Sequence, residues 1–473
     1  MINLIKNELK KIFKKKTLYV ILIVTLGFCI LSNILNKKFQ DTNAIYNDEE
    51  KSIYEESLEY ARESEDKEYE RQCKSFLEAA KLAEKYEKGS WQEYIISNKI
   101  QPLIEDMLRT ESDPEAYETY KVEYDEVIKR LEANDWKIFA NEELEDLNSQ
   151  LESFPEDESL KAQKQVVEWR LEKDIPYGTS DLNRYLNSWV SAKMMEQEFK
   201  SKNNLSHSEK VEKEQNTETI KLCEYAIENK INSNIITRGN PDLEYSLSYS
   251  SKSLLLEAVQ TYQFFIIIAA VIIAGTIISD EFNKGTIKLL LVRPYKRTKI
   301  LLSKFITCII ILLLSILSII IMQTIIGGIT FGFESYKDPT LIYDFSTNTL
   351  KEVGLISYLG ISTLAIMPKF ILLMTLAFAI STLLLNSPMA IAIPLLGIMA
   401  EAMINQLVLT YEKAKFLIYF VTPNWDLSMY LYGALPTFEH ITLPFSICIC
   451  LAYFIVMIAL SIYSFKKRNI KNI

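Results

Sequence analysis

The chain has 473 residues, 49% hydrophobic and 24% charged, with 52 lysines and arginines against 61 aspartates and glutamates and a formal net charge of −9. Its mean hydropathy of +0.05 would suit an evenly mixed acidic soluble protein of roughly two to four domains. The mixture is not even: residues 37–257 carry 30 basic and 50 acidic side chains, net −20, while the other 252 carry 22 and 11, net +11, which excludes a single uniform soluble domain.

Residues 1–16 (MINLIKNELKKIFKKK) place Ile2, Ile5, Leu9, Ile12 and Phe13 at helical spacing, with lysines covering the rest. The pattern predicts a helix lying in a membrane interface; the plainer reading is a basic flank that only sets orientation. Residues 17–35 carry no charge over 19 positions, which at ~1.5 Å per residue nearly matches a ~30 Å hydrocarbon core. A cleaved signal peptide would have a shorter apolar core and a small-residue cleavage site, for which Ser32-Asn33-Ile34-Leu35-Asn36 is a poor candidate.

Residues 36–257 read as one helical domain. Residues 37–257 hold three glycines, Gly89, Gly178 and Gly239, and are dense in Glu, Lys, Leu, Ala and Tyr. Apolar stripes recur at Ile95, Ile100, Leu103, Ile104 and Met107, at Tyr117, Tyr120, Tyr124, Val127 and Leu131, and at Leu182, Tyr185, Leu186, Trp189 and Val190. Breaks fall at Gly89-Ser90, Asp113-Pro114, Phe154-Pro155, Pro176-Tyr177-Gly178 and Gly239-Asn240-Pro241. The acidic run 48–70 is most simply a solvated helix face; its charge would also attract cationic peptides or ions. Of six cysteines only Cys73 and Cys223 lie in this block, where they are open to pairing or to burial as free thiols.

Apolar runs at 261–279, 304–326, 355–385, 389–410 and 441–464 complete six spans within a region 258–473. Six lysines against one glutamate in 1–16, seven basic against two acidic residues in 280–304, and four basic residues alone in 466–471 would all face the cytoplasm by the positive-inside rule. Both termini are then expected inside the cell membrane and 36–257 outside. The expected fold class is an all-α membrane protein of six transmembrane helices with a large helical extracytoplasmic domain between spans one and two.

The stretch 280–304 (DEFNKGTIKLLLVRPYKRTKILLSK) predicts a rigid elbow. Asp280 and Glu281 end span two, Gly285 lets the chain turn, and Thr286 to Val292 forms a helix too short to span, with Lys288 on its polar side. Arg293-Pro294 stops that helix, because the residue before a proline is pushed out of helical geometry and Pro294 donates no amide. Thr298 can cap the helix that rises through Lys304.

At Asp280-Glu281, Gly285-Thr286-Ile287-Lys288 and Arg293-Pro294 the chain resembles the permease subunits of type-2 ABC exporters. The likeness extends to the six-span layout, to Trp169-Arg170-Leu171-Glu172 and Ile175-Pro176-Tyr177, which are similar to a segment of Firmicute-type members, and to the tail Phe465-Lys466-Lys467-Arg468, where Asn469 replaces an expected Asp. It implies that 281–297 is a coupling helix seated in a separate ATPase subunit, with Asp280, Glu281, Gly285, Thr286, Lys288, Arg293, Pro294 and Arg297 as the coupling residues. It also implies a second permease protomer, identical or different, in the bilayer.

The chain itself offers no enzyme chemistry. There is no G-x-x-x-x-G-K-S/T loop, no H-E-x-x-H and no G-x-S-x-G, and His207 and His440 stand alone in the sequence. No catalytic residue, metal, cofactor or nucleic-acid partner is expected, and ATP would be bound by the partner subunit. Lys369 and Glu401 are the ionisable residues set deepest in apolar runs, and either a pairing or a transport-path role fits them. The aromatic loop 411–440, with Pro423-Asn424-Trp425-Asp426, reads equally as a re-entrant turn or a surface loop. The functional expectation is an exporter permease whose substrate (antimicrobial peptide, drug, lipid-like molecule or ion) stays open. The alternative is a non-transporting sensor or immunity protein that binds a ligand through its helical domain.

Overall fold

A computed structural model describes residues 1–41, 45–235, 247–286 and 295–468 of the chain. It is an all-α membrane protein with six helices long and apolar enough to span a bilayer: Lys16–Gln40, Ser251–Asn283, Arg297–Phe331, Leu355–Leu384, Ser387–Thr410 and Leu443–Lys467. Two compact units divide the chain, a membrane unit (Met1–Ile34, Leu205–Glu214 and Ser250–Ile473) and a helical unit (Leu35–Asn204 and Gln215–Tyr249).

In the membrane unit, helix α1 (Ile2–Ile12) precedes α2 (Lys16–Asp41), which carries span one. Span two is built from α12 (Ser251–Thr261), α13 (Gln263–Thr276) and α14 (Ser279–Asn283), span three is α15 (Arg297–Phe331), and spans four, five and six are α16 (Leu355–Leu384), α17 (Ser387–Thr410) and α18 (Leu443–Lys467). Spans two and four are the most buried, and spans one, five and six present most of their surface outward. The core joins Ile266, Val271 and Ala274 of span two to Cys308 and Leu312 of span three and to Phe370, Met374, Ala377 and Phe378 of span four. Spans two and five approach closely at Gly275, where a Cβ would lie 3.0–3.4 Å from Ile391 and Ala390.

The 327–354 loop holds a hairpin that periodicity does not announce: β1 (Thr340–Asp344) pairs antiparallel with β2 (Thr349–Val353), Thr340 opposite Val353. Asp344 Oδ1 accepts the Ser346 and Thr347 amides, an Asx turn that closes the hairpin. At this end the fully buried Lys252 donates to the Asp338 and Pro339 carbonyls at 3.0 and 2.6 Å.

The helical unit strings α3 (Asp48–Glu63), α4 (Lys67–Ala83), α5 (Trp91–Ile95, running through a π-turn at Ile96–Ile100), α6 (Gln101–Arg109), α7 (Pro114–Glu132), α8 (Lys137–Ser153), α9 (Glu158–Lys173) and α10 (Asp181–Ser201). Part of α11 (His207–Glu228) completes it. The local chemistry explains the breaks: Ser90, Asp113, Asp157 and Ser180 each cap a helix by accepting a first-turn amide, and Pro114 sits at the first helical position. The stripes point inward as expected, with Ile95, Ile100, Leu103, Ile104, Val127, Leu131, Tyr185, Leu186 and Trp189 buried. Each such aliphatic or aromatic side chain contributes about 1.5–3 kcal/mol. Arg170, also buried, donates to the Pro176 carbonyl and to Asn183 and lies over the Tyr177 ring, which ties Trp169–Glu172 to the turn at 175–178. Cys73 and Cys223 are free and buried. The turn predicted at Gly239-Asn240-Pro241 lies outside the described residues.

Candidate functional site

The elbow's flanks rest on a ring of four charges, of which Glu8, Glu281 and Lys304 are buried and Lys11 is half-exposed. Helix α1 turns Leu4, Glu8 and Ile12 inward, while Ile2 and Phe13 face outward. Glu8, the one acid among the lysines, thereby meets Lys304 of span three: Lys304 Nζ lies 3.0 Å from Glu8 Oε2 and 2.8 Å from Glu281 Oε2. Lys11 Nζ closes the circuit, 3.1 Å from Glu8 Oε1 and 2.9 Å from Glu281 Oε1. Alternating signs leave the ring neutral, the condition under which burying three of its charges is tolerable. Burial opposes the ionised form of Glu8, but Lys304 and Lys11 outweigh it and hold its pKa below the usual carboxylate value. Burial likewise opposes the charge on Lys11, and Glu281 and Glu8 overcome it to raise its pKa.

Beside the ring, Lys15 Nζ reaches Asp280 Oδ2 and Thr276 Oγ1, both at 3.1 Å, and Asp280 Oδ1 accepts from Ser387 at 3.3 Å. Gly285 has φ +67, a left-handed backbone that favours glycine, and among the described residues nothing lies within 4 Å of where a Cβ would sit. Thr286 donates to the Glu281 carbonyl at 3.4 Å. On the far flank Arg297 donates to the Lys466 and Arg468 carbonyls at 3.1 and 3.0 Å. Arg468 in turn donates to the Leu383 carbonyl and covers Phe282, which meets Phe465 edge-on. The end of span six therefore grips both sides of the elbow. Thr298 lies inside its helix, whose N-cap is Lys296 without a side-chain cap, so the expected threonine cap is corrected. Lys288, Arg293, Pro294 and Asn469 lie outside the described residues.

Lys369 and Glu401 meet in a second, smaller site. Their Nζ and Oε2 are 2.7 Å apart, Trp425 Nε1 donates to Glu401 Oε1 at 2.7 Å, and Lys369 Nζ sits 5.8 Å from the Trp425 ring centroid. Pro368 precedes the lysine within span four. Trp425 is delivered by a tucked turn, Thr422 to Trp425 all being buried. Asn424 holds that turn by donating to the Ile418 and Phe420 carbonyls and accepting from Ser446 at 2.8 Å.

His207 and His440, distant in sequence, line one concavity with Lys415 and Glu439. Among the described residues no group of His, Cys, Asp or Glu is arranged to hold a metal. Sequence reasoning missed Glu8, Lys11, Lys15, Lys304 and Trp425. The available signals were a lone acid in a basic helix and a lysine at the edge of a long apolar run.

The chain is similar to two Bacillus subtilis (strain 168) proteins. One, named uncharacterized protein YhcI, is 32% identical over 257 residues, covering 54% of this chain and 76% of the relative. The other, named uncharacterized membrane protein YdbK, is 29% identical over 227 residues, covering 48% of this chain and 82% of the relative. No solved structure matches. A family model described as "Protein of unknown function (DUF2705)" matches residues 226–471, which take in spans two to six, the elbow and the tail that grips it. The chain is a multi-pass membrane protein that belongs to this DUF2705 family.

Proposed function

We propose that the chain is the permease subunit of an ATP-driven exporter, powered by a separate ABC-type ATPase that docks on 281–297 and working beside a second permease protomer. The observation that carries this reading is the four-charge ring. It fastens α1, the end of span two and the start of span three to one another immediately beside the elbow. Displacement of 287–294 by a partner is thereby passed to spans two and three together, with α1 following, rather than absorbed by one helix end. The basic segments 1–16, 280–304 and 466–471 support a cytoplasmic placement of this end and of both termini, which puts residues 36–257 outside.

The neutral Lys369–Glu401 pair, closed by Trp425, suits a helix-to-helix tie within spans four and five. The reading is tested by affinity isolation of the full-length protein in mild detergent, with the co-purifying proteins assayed for ATP hydrolysis. A nucleotide-hydrolysing partner retained by wild type and lost with Arg293→Glu is expected; equal retention by both would sink the coupling assignment.

A further inference from the structure

The helical unit contains a concavity of about 590 Å³ between α4, α6 and the start of α7. That volume lies in the range of small-molecule sites, ~300–1,000 Å³. Its floor is Ile104, Met107 and Leu108, the i, i+3, i+4 stripe of α6. Tyr117 and Tyr124, two turns apart on α7, form one wall, and Glu78, Glu111 and Glu118 stand around the mouth. Asp113 caps α7 and thereby fixes where that wall begins.

The concavity differs from its acidic neighbour in having no basic residue in its lining. No lysine or arginine lines it, and among the described residues none of its three glutamates forms an ion pair. A second concavity between α6, α7 and α8, about 550 Å³, is lined by six acidic side chains, but there Arg130 and Lys99 are part of the lining and pair with Glu126 and Glu142. Burial and the charges of Asp125 and Glu78 hold the Tyr124 phenol above its usual pKa, so its ring stays neutral beside the acids. Three carboxylates with no basic residue in the same lining make the mouth attractive to a cation. Tyrosine faces attract that cation, and an apolar floor favours an apolar body attached to it.

We propose that this concavity binds organic cations carrying an apolar or aromatic body. Glu78, Glu111 and Glu118 face the positive centre, Tyr117 and Tyr124 lie against it, and Ile104, Met107 and Leu108 receive the apolar part. The site gives the helical unit a recognition role of its own, independent of whether an ATPase drives the membrane unit.

The test uses full-length protein in phosphatidylcholine nanodiscs, with equilibrium dialysis against tetraphenylphosphonium and its anionic counterpart of the same shape, tetraphenylborate, each corrected with empty nanodiscs. Saturable binding of the cation alone is expected. The E78Q/E111Q/E118Q variant weakens it about tenfold or more, and E111Q alone, in the loop before α7, about threefold. The E123Q/E126Q/E145Q variant removes the same charge from the second concavity and leaves affinity within about twofold. Circular dichroism confirms that each variant keeps its helices, and E111Q serves alone if the triple variant does not. Absence of saturable cation binding by wild type, equal binding of tetraphenylborate, or equal loss in both triple variants would overturn the proposal.

Discussion

Two sites in the membrane unit bury charge in opposite ways. At Lys369–Glu401 two adjacent spans exchange a single ion pair, with Trp425 satisfying the second carboxylate oxygen. At Glu8–Lys304–Glu281–Lys11 three chain segments share a closed ring in which every charge has two opposite neighbours. The pair is a local tie: its loss concerns two helices and a turn. The ring is a junction, since no edge can be altered without disturbing the next, and it couples an amino-terminal helix to the flanks of the elbow. Lys11 is also half-exposed, so the ring meets solvent at one corner while Lys369 is almost fully enclosed.

The largest effect should come from breaking the pair. Lys369→Met leaves Glu401 without its cation in an apolar setting, at a cost of about 3–5 kcal/mol. A large fall in the detergent melting temperature checks this, and Lys369→Met/Glu401→Met should recover most of it. Lys304→Met should cost somewhat less, about 3 kcal/mol, because Lys11 still serves both Glu8 and Glu281. It should also release α1, read as faster proteolysis near residue 12.

Charge reversal separates the two designs. Lys369→Glu/Glu401→Lys keeps a salt bridge and should retain part of the stability. In the ring, Glu8→Lys/Lys304→Glu sets the introduced lysine against Lys11 and the introduced glutamate against Glu281, and should rescue nothing. Rescue in both, by melting temperature, would show that the ring is merely two pairs. Next, Trp425→Phe removes one hydrogen bond to a charged group, about 2 kcal/mol, and should loosen the turn at 422–425 without affecting α1. Protection of the two segments in hydrogen exchange distinguishes them.

The smallest effect is the pH response of α1. Glu8 is shifted below its ordinary 4.5, so its contribution is complete above that value and fades as pH falls through the lower folded pKa. Lys11 is shifted above 10.5, so its contribution is complete below that value and fades as pH rises past it. Attachment of α1 should thus be flat from about pH 5 to 10 and weaken beyond both ends. Loosening at neutral pH would contradict the ring.

Most of the helices were legible because their signals are local. Six apolar runs, and breaks such as Gly89-Ser90 and Asp113-Pro114, act within a few residues. The β1–β2 hairpin was not, because Thr340–Asp344 and Thr349–Val353 are short, and their partnership depends on an Asx turn. At the candidate site, Asp280, Glu281, Gly285 and Arg297 were visible as a motif, and Lys369 and Glu401 as charges in apolar runs. Their partners were not: Glu8 and Lys304 are almost three hundred positions apart, and nothing in either segment names the other. The inward turn of Glu8 also runs against the apolar periodicity of α1, whose Ile2 and Phe13 face away from the protein. Trp425 looked like an interfacial aromatic because the turn that buries it is held by Asn424, a tertiary contact.

On the proposed reading, the elbow transmits force from a nucleotide-hydrolysing partner through the ring. The most direct test is the ATPase activity that co-purifies with full-length protein in nanodiscs, compared between wild type, Arg293→Glu and Lys304→Met. Wild type should bring down activity, Arg293→Glu should lose the bound partner, and Lys304→Met should retain a partner whose hydrolysis no longer responds to the permease. Recovery of no ATP-hydrolysing partner with wild type, or identical retention and activity in all three, would contradict that reading.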